Sequence, residues 1–285
     1  MNKEIKPFLR WAGGKQNLIK FLIKFVPKDY NEHYYYEPFL GAGSMFFKIT
    51  PKNAFLSDYN IHLINCYKMI VEYPFKIHRL LVLYSKNDSK EYYYKIRDEF
   101  NKNLNEVSYI QAAKFIYLNK ACFNGIYRVN KRGTFNVPYG YKKHLSISPL
   151  EFFYKLSELL KKVKLGCFSF EKIENLVKGG DFIYLDPPYP PLNGSSNFSH
   201  YTKERFNDSD QKKLAIFAEK LSDKGCNILI SNADTEETRK LYSNWYKESI
   251  DVIRFITCKS KRHRVRELVI TNYKVQIKTE EVIHE

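Results

Sequence analysis

The tetrad Asp186-Pro187-Pro188-Tyr189 follows a short apolar run, Asp181 to Leu185, and this junction constrains the fold more than any other stretch of the 285 residues. Proline has no N–H to give a ladder, so the strand must stop there. A second strand-like run, Tyr34 to Glu37, feeds the loop Pro38 to Gly43 and then a helix from Ser44. Ala54 to Ser57 reads as a strand ending at Asp58, and Gln211 to Leu221 has helical periodicity. Asn227 to Ser231 reads as a strand, and β-rich runs lie around Ile250 to Thr257 and Glu267 to Tyr273. Strands that alternate with helices predict an α/β chain on a mostly parallel sheet, with an antiparallel strand at its C-terminal edge. Residues 59–148 break the alternation with Tyr- and Lys-rich helical stretches and a turn-rich region, Asn124 to Tyr141. They read as an insertion between residues 1–58 and 149–285.

Both loops lie where open α/β sheets bind ligands, beyond the carboxyl ends of strands. In Glu37-Pro38-Phe39-Leu40-Gly41-Ala42-Gly43-Ser44, the glycines let the backbone approach a ligand closely. Phe46 stands where a dinucleotide fingerprint would need its third glycine, which disfavours a nicotinamide cofactor. Asp58, at the end of the next strand, is placed to bond ribose hydroxyls. Trp11-Ala12-Gly13-Gly14-Lys15 lacks the spacing of a phosphate loop.

The tetrad suits a different task. An exocyclic amine on a purine is a poor nucleophile, because its lone pair is delocalised into the ring. If the Asp186 carboxylate and the Pro187 carbonyl accept its two N–H bonds, the lone pair is drawn out of conjugation while Tyr189 stacks on the base. Attack through a pyrimidine ring carbon would instead need a thiolate, usually after a proline, and none of the five cysteines follows one. Those cysteines are dispersed and the histidines have no ligand spacing, so neither a disulfide framework nor a metal is expected.

Charge bears on the partner. The chain carries a formal +16, and Val107 to Leu150 holds seven basic residues and no Asp or Glu. Val252 to Arg266 holds six basic residues and again no acid. Two acid-free basic segments are best explained by surfaces that face phosphates. No stretch approaches the ~20 apolar residues of a membrane span, and Met1 to Pro7 has no apolar core. A soluble protein of the cytoplasm is expected.

Taken together, these residues resemble the Dam-like DNA adenine N6-methyltransferases. The likeness is carried by Phe8 to Lys15, Glu37 to Ser44, Ser57-Asp58, Asn124 to Arg128, Gly133 to Gly140, Asp186 to Tyr189 and Ile230-Ser231-Asn232, in order from residue 8 to about 273. It implies a Rossmann-like methyltransferase sheet with an inserted helical and hairpin target-recognition domain, using S-adenosylmethionine. Its cofactor contacts would be Trp11, Lys15, Glu37, Phe39, Gly41, Gly43, Asp58, Phe170 and Asp186. Asp186, Pro187, Pro188 and Tyr189 would bind the target amine of a flipped adenine. Arg10, Phe123, Asn124, Ile126, Arg128, Pro138 and Lys142 would meet double-stranded DNA, with Phe198 and Tyr201 over the flipped base. Lys259, Lys261, Arg262, Arg264 and Arg266 would meet phosphates.

The resemblance further implies the site GATC, or another site containing GAT, and a monomer in a bacterial or phage-infected cell, paired with a cognate restriction endonuclease or acting alone. A cytosine N4-methyltransferase is the nearest chemical alternative, though its motif usually begins with Ser. A protein or RNA amino-methyltransferase would not need the acid-free hairpin. A non-catalytic DNA-binding module would leave the tetrad without a task.

Overall fold

The computed structural model describes residues 5–16, 18–189, 206–254 and 263–275. Its sheet has seven strands in the order β3-β2-β1-β4-β5-β7-β6. Strands β1 (Tyr35–Glu37), β2 (Ala54–Asp58), β3 (Val163–Cys167), β4 (Phe182–Leu185) and β5 (Asn227–Ala233) run parallel. β7 (His263–Thr271) is antiparallel to both β5 and β6 (Tyr246–Arg254). The antiparallel strand was expected at the edge, and it lies one place further in. The reason is composition: Leu268, Val269 and Ile270 of β7 are buried, whereas β6 carries Lys247, Glu248 and Asp251, charges that suit an edge.

Period-two alternation gives the sheet two apolar faces. Tyr35, Leu56, Phe182, Tyr184 and Leu229 point into one core; Tyr36, Ile183, Leu185, Ile228 and Ile230 point into the other. The short helices α1 (Ile19–Leu22) and α2 (Ser44–Ile49) pack on the first face, as do α3 (Ile61–Glu72), α4 (Pro74–Lys86), α5 (Lys90–Lys102), α6 (Tyr109–Ala121) and α7 (Leu150–Leu160). Helix α8 (Asp208–Asp223) covers the second face, and α9 (Glu236–Leu241) follows β5. The helices between β2 and β3 therefore share a core with the sheet.

Helix α6 is the hub of that region. Gln111 to Asn119 are all buried, so the helix has no solvent stripe and shows no amphipathic period. Most of its polar groups are matched: Gln111 Nε2 donates to the carbonyls of Phe100 and Asn103 at 2.8 and 2.9 Å, and Lys114 pairs with Glu99 at 3.1 Å, while Gln111 Oε1 is buried without a partner. Beyond α6 the chain forms a loose hairpin with bridges Cys122 to Tyr139 and Val129 to Phe135. Side chains from α5 hold its return strand. Asn101 accepts from Phe135 N–H at 2.9 Å and donates to Phe135 O at 3.0 Å, and Tyr93 donates to Val137 O at 2.8 Å. Asp88 accepts the hydroxyls of Tyr117 and Tyr139 at 2.6 and 3.0 Å. Phe135, Val137 and Tyr139 are thus turned inward and buried, and Pro138 is exposed.

Asn60 couples the sheet to the helices. Its side chain caps α3 by accepting from His62 and Leu63 N–H at 3.0 and 3.1 Å, directly after the β2 terminus. Asn60→Ala is expected to lower stability by about 1 kcal/mol; unchanged urea denaturation would remove the cap from this account.

Candidate active site

Strands β1 and β4 are neighbours, and the loops after them meet at the top of the sheet. The loop after β1 is tied down on every side. Leu40 N–H donates to Ser57 O at 3.0 Å, Gly41 N–H to Asp58 Oδ2 at 3.0 Å, and Tyr67 OH to Gly41 O at 3.2 Å. Gly41 has φ +48, and a Cβ there would meet Trp11 Cδ1 at 2.8 Å, so only glycine allows the indole to lie against the loop. Trp11 also stacks on Tyr127 of the hairpin at 5.5 Å between ring centroids, with an interplanar angle of 11°.

Three carboxylates surround these loops. Glu37 is 2% exposed and accepts from Tyr35 OH at 2.7 Å and Phe46 N–H at 3.2 Å, which places it beneath the loop. Burial pushes its carboxyl up to about 8. Asp58 accepts from Gly41 and Asn60 N–H; burial pushes it up to about 6 against those bonds. Asp186 is raised as well, by burial, while Lys15 and the Ser231 hydroxyl favour its charged form.

Around Asp186 the contacts are dense. Lys15 Nζ lies 2.7 Å from Oδ1, 2.8 Å from Gly13 O and 4.5 Å from the centre of the Tyr189 ring. Ser231 donates to Oδ1 at 2.9 Å. The rest of the tetrad is braced from two other elements: Gln211 Nε2 of α8 donates to Pro188 O at 3.0 Å, and Tyr189 OH donates to Glu267 Oε2 of β7 at 2.9 Å. Gln211 is itself held by Asn232 Nδ2 at 3.0 Å, in a first turn organised by the Asn207–Asp210 capping box. Phe39 and Phe170 stand 5.4 Å apart, with Phe206 at 5.9 and 6.4 Å from them; Phe170 is 7% exposed and backs onto Phe217.

The basic candidates group around the hairpin. Arg10 is exposed, its backbone is clasped by Asn119 on both N–H and C=O (2.9 and 2.8 Å), and its stem covers Gly125. Phe123 and Asn124 are exposed at the first bend, where Asn124 adopts φ +54; Ile126 is half-buried. Arg128 donates from Nε to Asn136 Oδ1 at 2.9 Å and from an Nη to Asn136 O at 3.4 Å. Lys142 donates to Lys120 O. Burial lowers both lysines, and the Arg10 cation lowers them further. Arg266 pairs with Asp251 at 3.4 Å. Phe198, Tyr201, Lys259, Lys261 and Arg262 lie outside the described residues, as does the side chain of Arg264.

Asn119, Asn136, Ser231, Gln211 and Glu267 were absent from the residues singled out by sequence. Ser231 had a signal inside the Ile230-Ser231-Asn232 motif and Asn136 one inside Gly133 to Gly140; Asn119, Gln211 and Glu267 act on partners further away in the chain. Among the described residues no cluster of three His, Cys, Asp or Glu could hold a metal.

A strand order 3-2-1-4-5-7-6, with a glycine loop after the first strand and an Asp-Pro-Pro-Tyr loop after the fourth, defines a methyltransferase of amino groups. Comparison carries this to a family: the pattern of the D12 class N6 adenine-specific DNA methyltransferases matches residues 11–256, and the chain belongs to that family. It is 40% identical to the type II methyltransferase M.MjaIII of Methanocaldococcus jannaschii, over 95% of this chain and 100% of that one. It is 35% identical to the type II methyltransferase M1.LlaDCHI of Lactococcus lactis subsp. cremoris, over 94% and 96%. It is 34% identical to the DNA adenine methylase of Escherichia coli strain K12, over 94% and 95%. The chain is thus an adenine-specific DNA methyltransferase, whose reaction requires a methyl donor.

The Glu37 environment makes stability pH-dependent. Its folded carboxyl holds a proton up to about pH 8, against 4.5 ordinarily, so its contribution is full below about 4.5 and is lost as pH rises to about 8. Glu37→Gln keeps an acceptor for Tyr35 and Phe46 but cannot titrate. Wild-type melting temperature should fall relative to Glu37→Gln between about pH 5 and about pH 8; parallel melting curves would contradict the assignment.

Proposed function

We propose that the chain transfers a methyl group from S-adenosylmethionine to N6 of an adenine flipped out of double-stranded DNA. The observation that carries this is the pairing of β1, which feeds the glycine loop, with β4, which ends at Asp186, whose carboxylate is held by Lys15 of the N-terminal loop. The residues present fit the cofactor: Asp58 at the end of β2 has acceptor capacity for ribose hydroxyls, Phe39 and Phe170 offer ring faces for a purine, and Trp11, Lys15, Gly41 and Gly43 border the loop. Glu37 supports that loop from below. S-adenosylmethionine supplies, when bound, an electrophilic methyl group.

The protein's own part is to bind and orient the amine. Asp186 and the Pro187 carbonyl accept its N–H bonds, Pro187 and Pro188 keep the turn rigid, and Tyr189 stacks on the base. Lys15 holds Asp186 Oδ1 and lies 4.5 Å over the Tyr189 ring, so the base displaces Nζ from the ring face on which it stacks. Unpairing and unstacking adenine costs a few kcal/mol, offset by that stacking and by groups that fill the vacated duplex.

Residues 59–148 serve as the target-recognition domain between the two parts of the catalytic domain, 1–58 and 149–285. Arg128, braced by Asn136 through Nε, keeps Nη1 available for a guanine edge. Phe123 and Asn124 stand at an exposed bend suited to entering the duplex, beside Ile126 and Pro138, while Arg10 and Lys142 add positive charge next to it. GATC is the favoured site, with other GAT-containing sites as the second choice. The relatives named type II methyltransferases suggest a cognate restriction endonuclease that cuts the same site; a monomer in the cytoplasm completes the reading. No helix among the described residues is long and apolar enough to cross a membrane.

Asp186→Ala should abolish methyl transfer while circular dichroism stays unchanged; retained turnover would refute its role. Arg128→Ala should relax selection at one guanine at a cost of about 1–3 kcal/mol. A loss that is uniform over all sequences would make Arg128 a phosphate contact instead. Digestion of DNA from expressing cells with nucleases of differing sensitivity to adenine methylation tests the GATC assignment.

A further inference from the structure

Below the tetrad, two hydroxyls run in line from the interior of the sheet to Asp186. Tyr184 of β4 is 1% exposed, and its hydroxyl lies 2.9 Å from Ser231 Oγ. Ser231 of β5 is fully buried, and its Oγ lies 2.9 Å from Asp186 Oδ1. The direction of both bonds follows from chemistry. A carboxylate only accepts, so Ser231 donates to it; having a single hydrogen, Ser231 must then accept from Tyr184. Polar groups at the centre of a sheet are costly unless bonded, and here each bond leads to the next until it ends on the reacting loop.

The two oxygens of Asp186 are treated unequally. Oδ1 takes both Ser231 and Lys15, whereas among the described residues none donates to Oδ2. We infer that Ser231, oriented by Tyr184, is a positioning residue that pins Asp186 through Oδ1 and so leaves Oδ2 to accept from the target amine. This rests on the reading of Asp186 as the amine acceptor. Lys15 alone cannot do the same work. It reaches Oδ1 from a loop, on a flexible stem, and the incoming base competes for its place; Ser231 approaches from within β5 and stays.

The charged and titratable groups that face Asp186 are Lys15 from the N-terminal loop, Glu37 and Tyr35 from β1, Tyr184 from β4 and Glu267 from β7. Lys15 is the one cation in that set among the described residues. The Ser231 hydroxyl adds a second influence favouring the carboxylate, so its loss drives the carboxyl upward.

The test is the pH dependence of kcat for methyl transfer to duplex DNA with saturating S-adenosylmethionine. Ser231→Ala should lower kcat about tenfold, the worth of one hydrogen bond to a charged group, and move the acid limb of the profile to higher pH. Ser231→Thr, which keeps a hydroxyl, should restore both. Tyr184→Phe, which keeps the ring and loses only its hydroxyl, should move the limb in the same direction by less, and it carries the test if Ser231→Ala fails to fold. A profile for Ser231→Ala or Tyr184→Phe that superposes on wild type overturns the inference, as does a fall in kcat with no movement of the limb. Asp186→Asn separates the two readings. Turnover by Asp186→Asn removes the amine-acceptor assignment; an inert Asp186→Asn beside an unaltered Ser231→Ala removes the relay alone.

Discussion

Two parallel strands, β1 and β4, lie side by side while their onward connections lead to opposite halves of the sheet. Everything that the site requires depends on this divergence, because it opens a crevice between two loops that no helix crosses over. One loop offers glycine backbone, with the Asp58 carboxylate at the end of neighbouring β2 bonded to it; the other offers Asp186 and Tyr189. Neighbouring strands a few ångströms apart bring the two within reach of each other without a long loop having to be ordered for the purpose.

The crevice concentrates carboxylates where burial disfavours their charge. Each is managed differently. Glu37 keeps its proton and acts as a neutral strut under the glycine loop, between Tyr35 and Phe46. Asp58 is partly relieved by two backbone N–H groups. Asp186 is relieved by a cation and a hydroxyl. The gradation follows position: Glu37, beneath the loop, carries load, and Asp186, beyond the end of β4, retains donors that favour its charged form.

Sequence reasoning singled out the two loops because they lie at the ends of apolar strands, where prolines and glycines punctuate the pattern. It could not see the braces. Gln211 reaches Pro188, Glu267 reaches Tyr189 and Asn119 clasps Arg10, each across a wide separation in the chain that no local period records. Strand β3 is an edge strand of five residues, in which Val163 and Leu165 are only half-buried and Gly166 is the one buried position, so its alternation is too short and weak to stand out. Helix α6, buried on every side, has no amphipathic period by which sequence could set it apart from its neighbours. Arg10 was expected to reach a base from the N-terminal side; in the structure its stem lies against Gly125, a fold-level meeting of residues over a hundred positions apart.

The return strand of the hairpin has a division of labour built into its pleat. Phe135, Val137 and Tyr139 are fastened from behind by Asn101, Tyr93 and Asp88, while the alternate positions Asn136 and Pro138 look the other way. Such a strand behaves like a type bar on a fixed carriage: the outward characters can be exchanged without loosening the mount. Substitution at the outward positions can therefore change what this face meets, with folding left almost untouched.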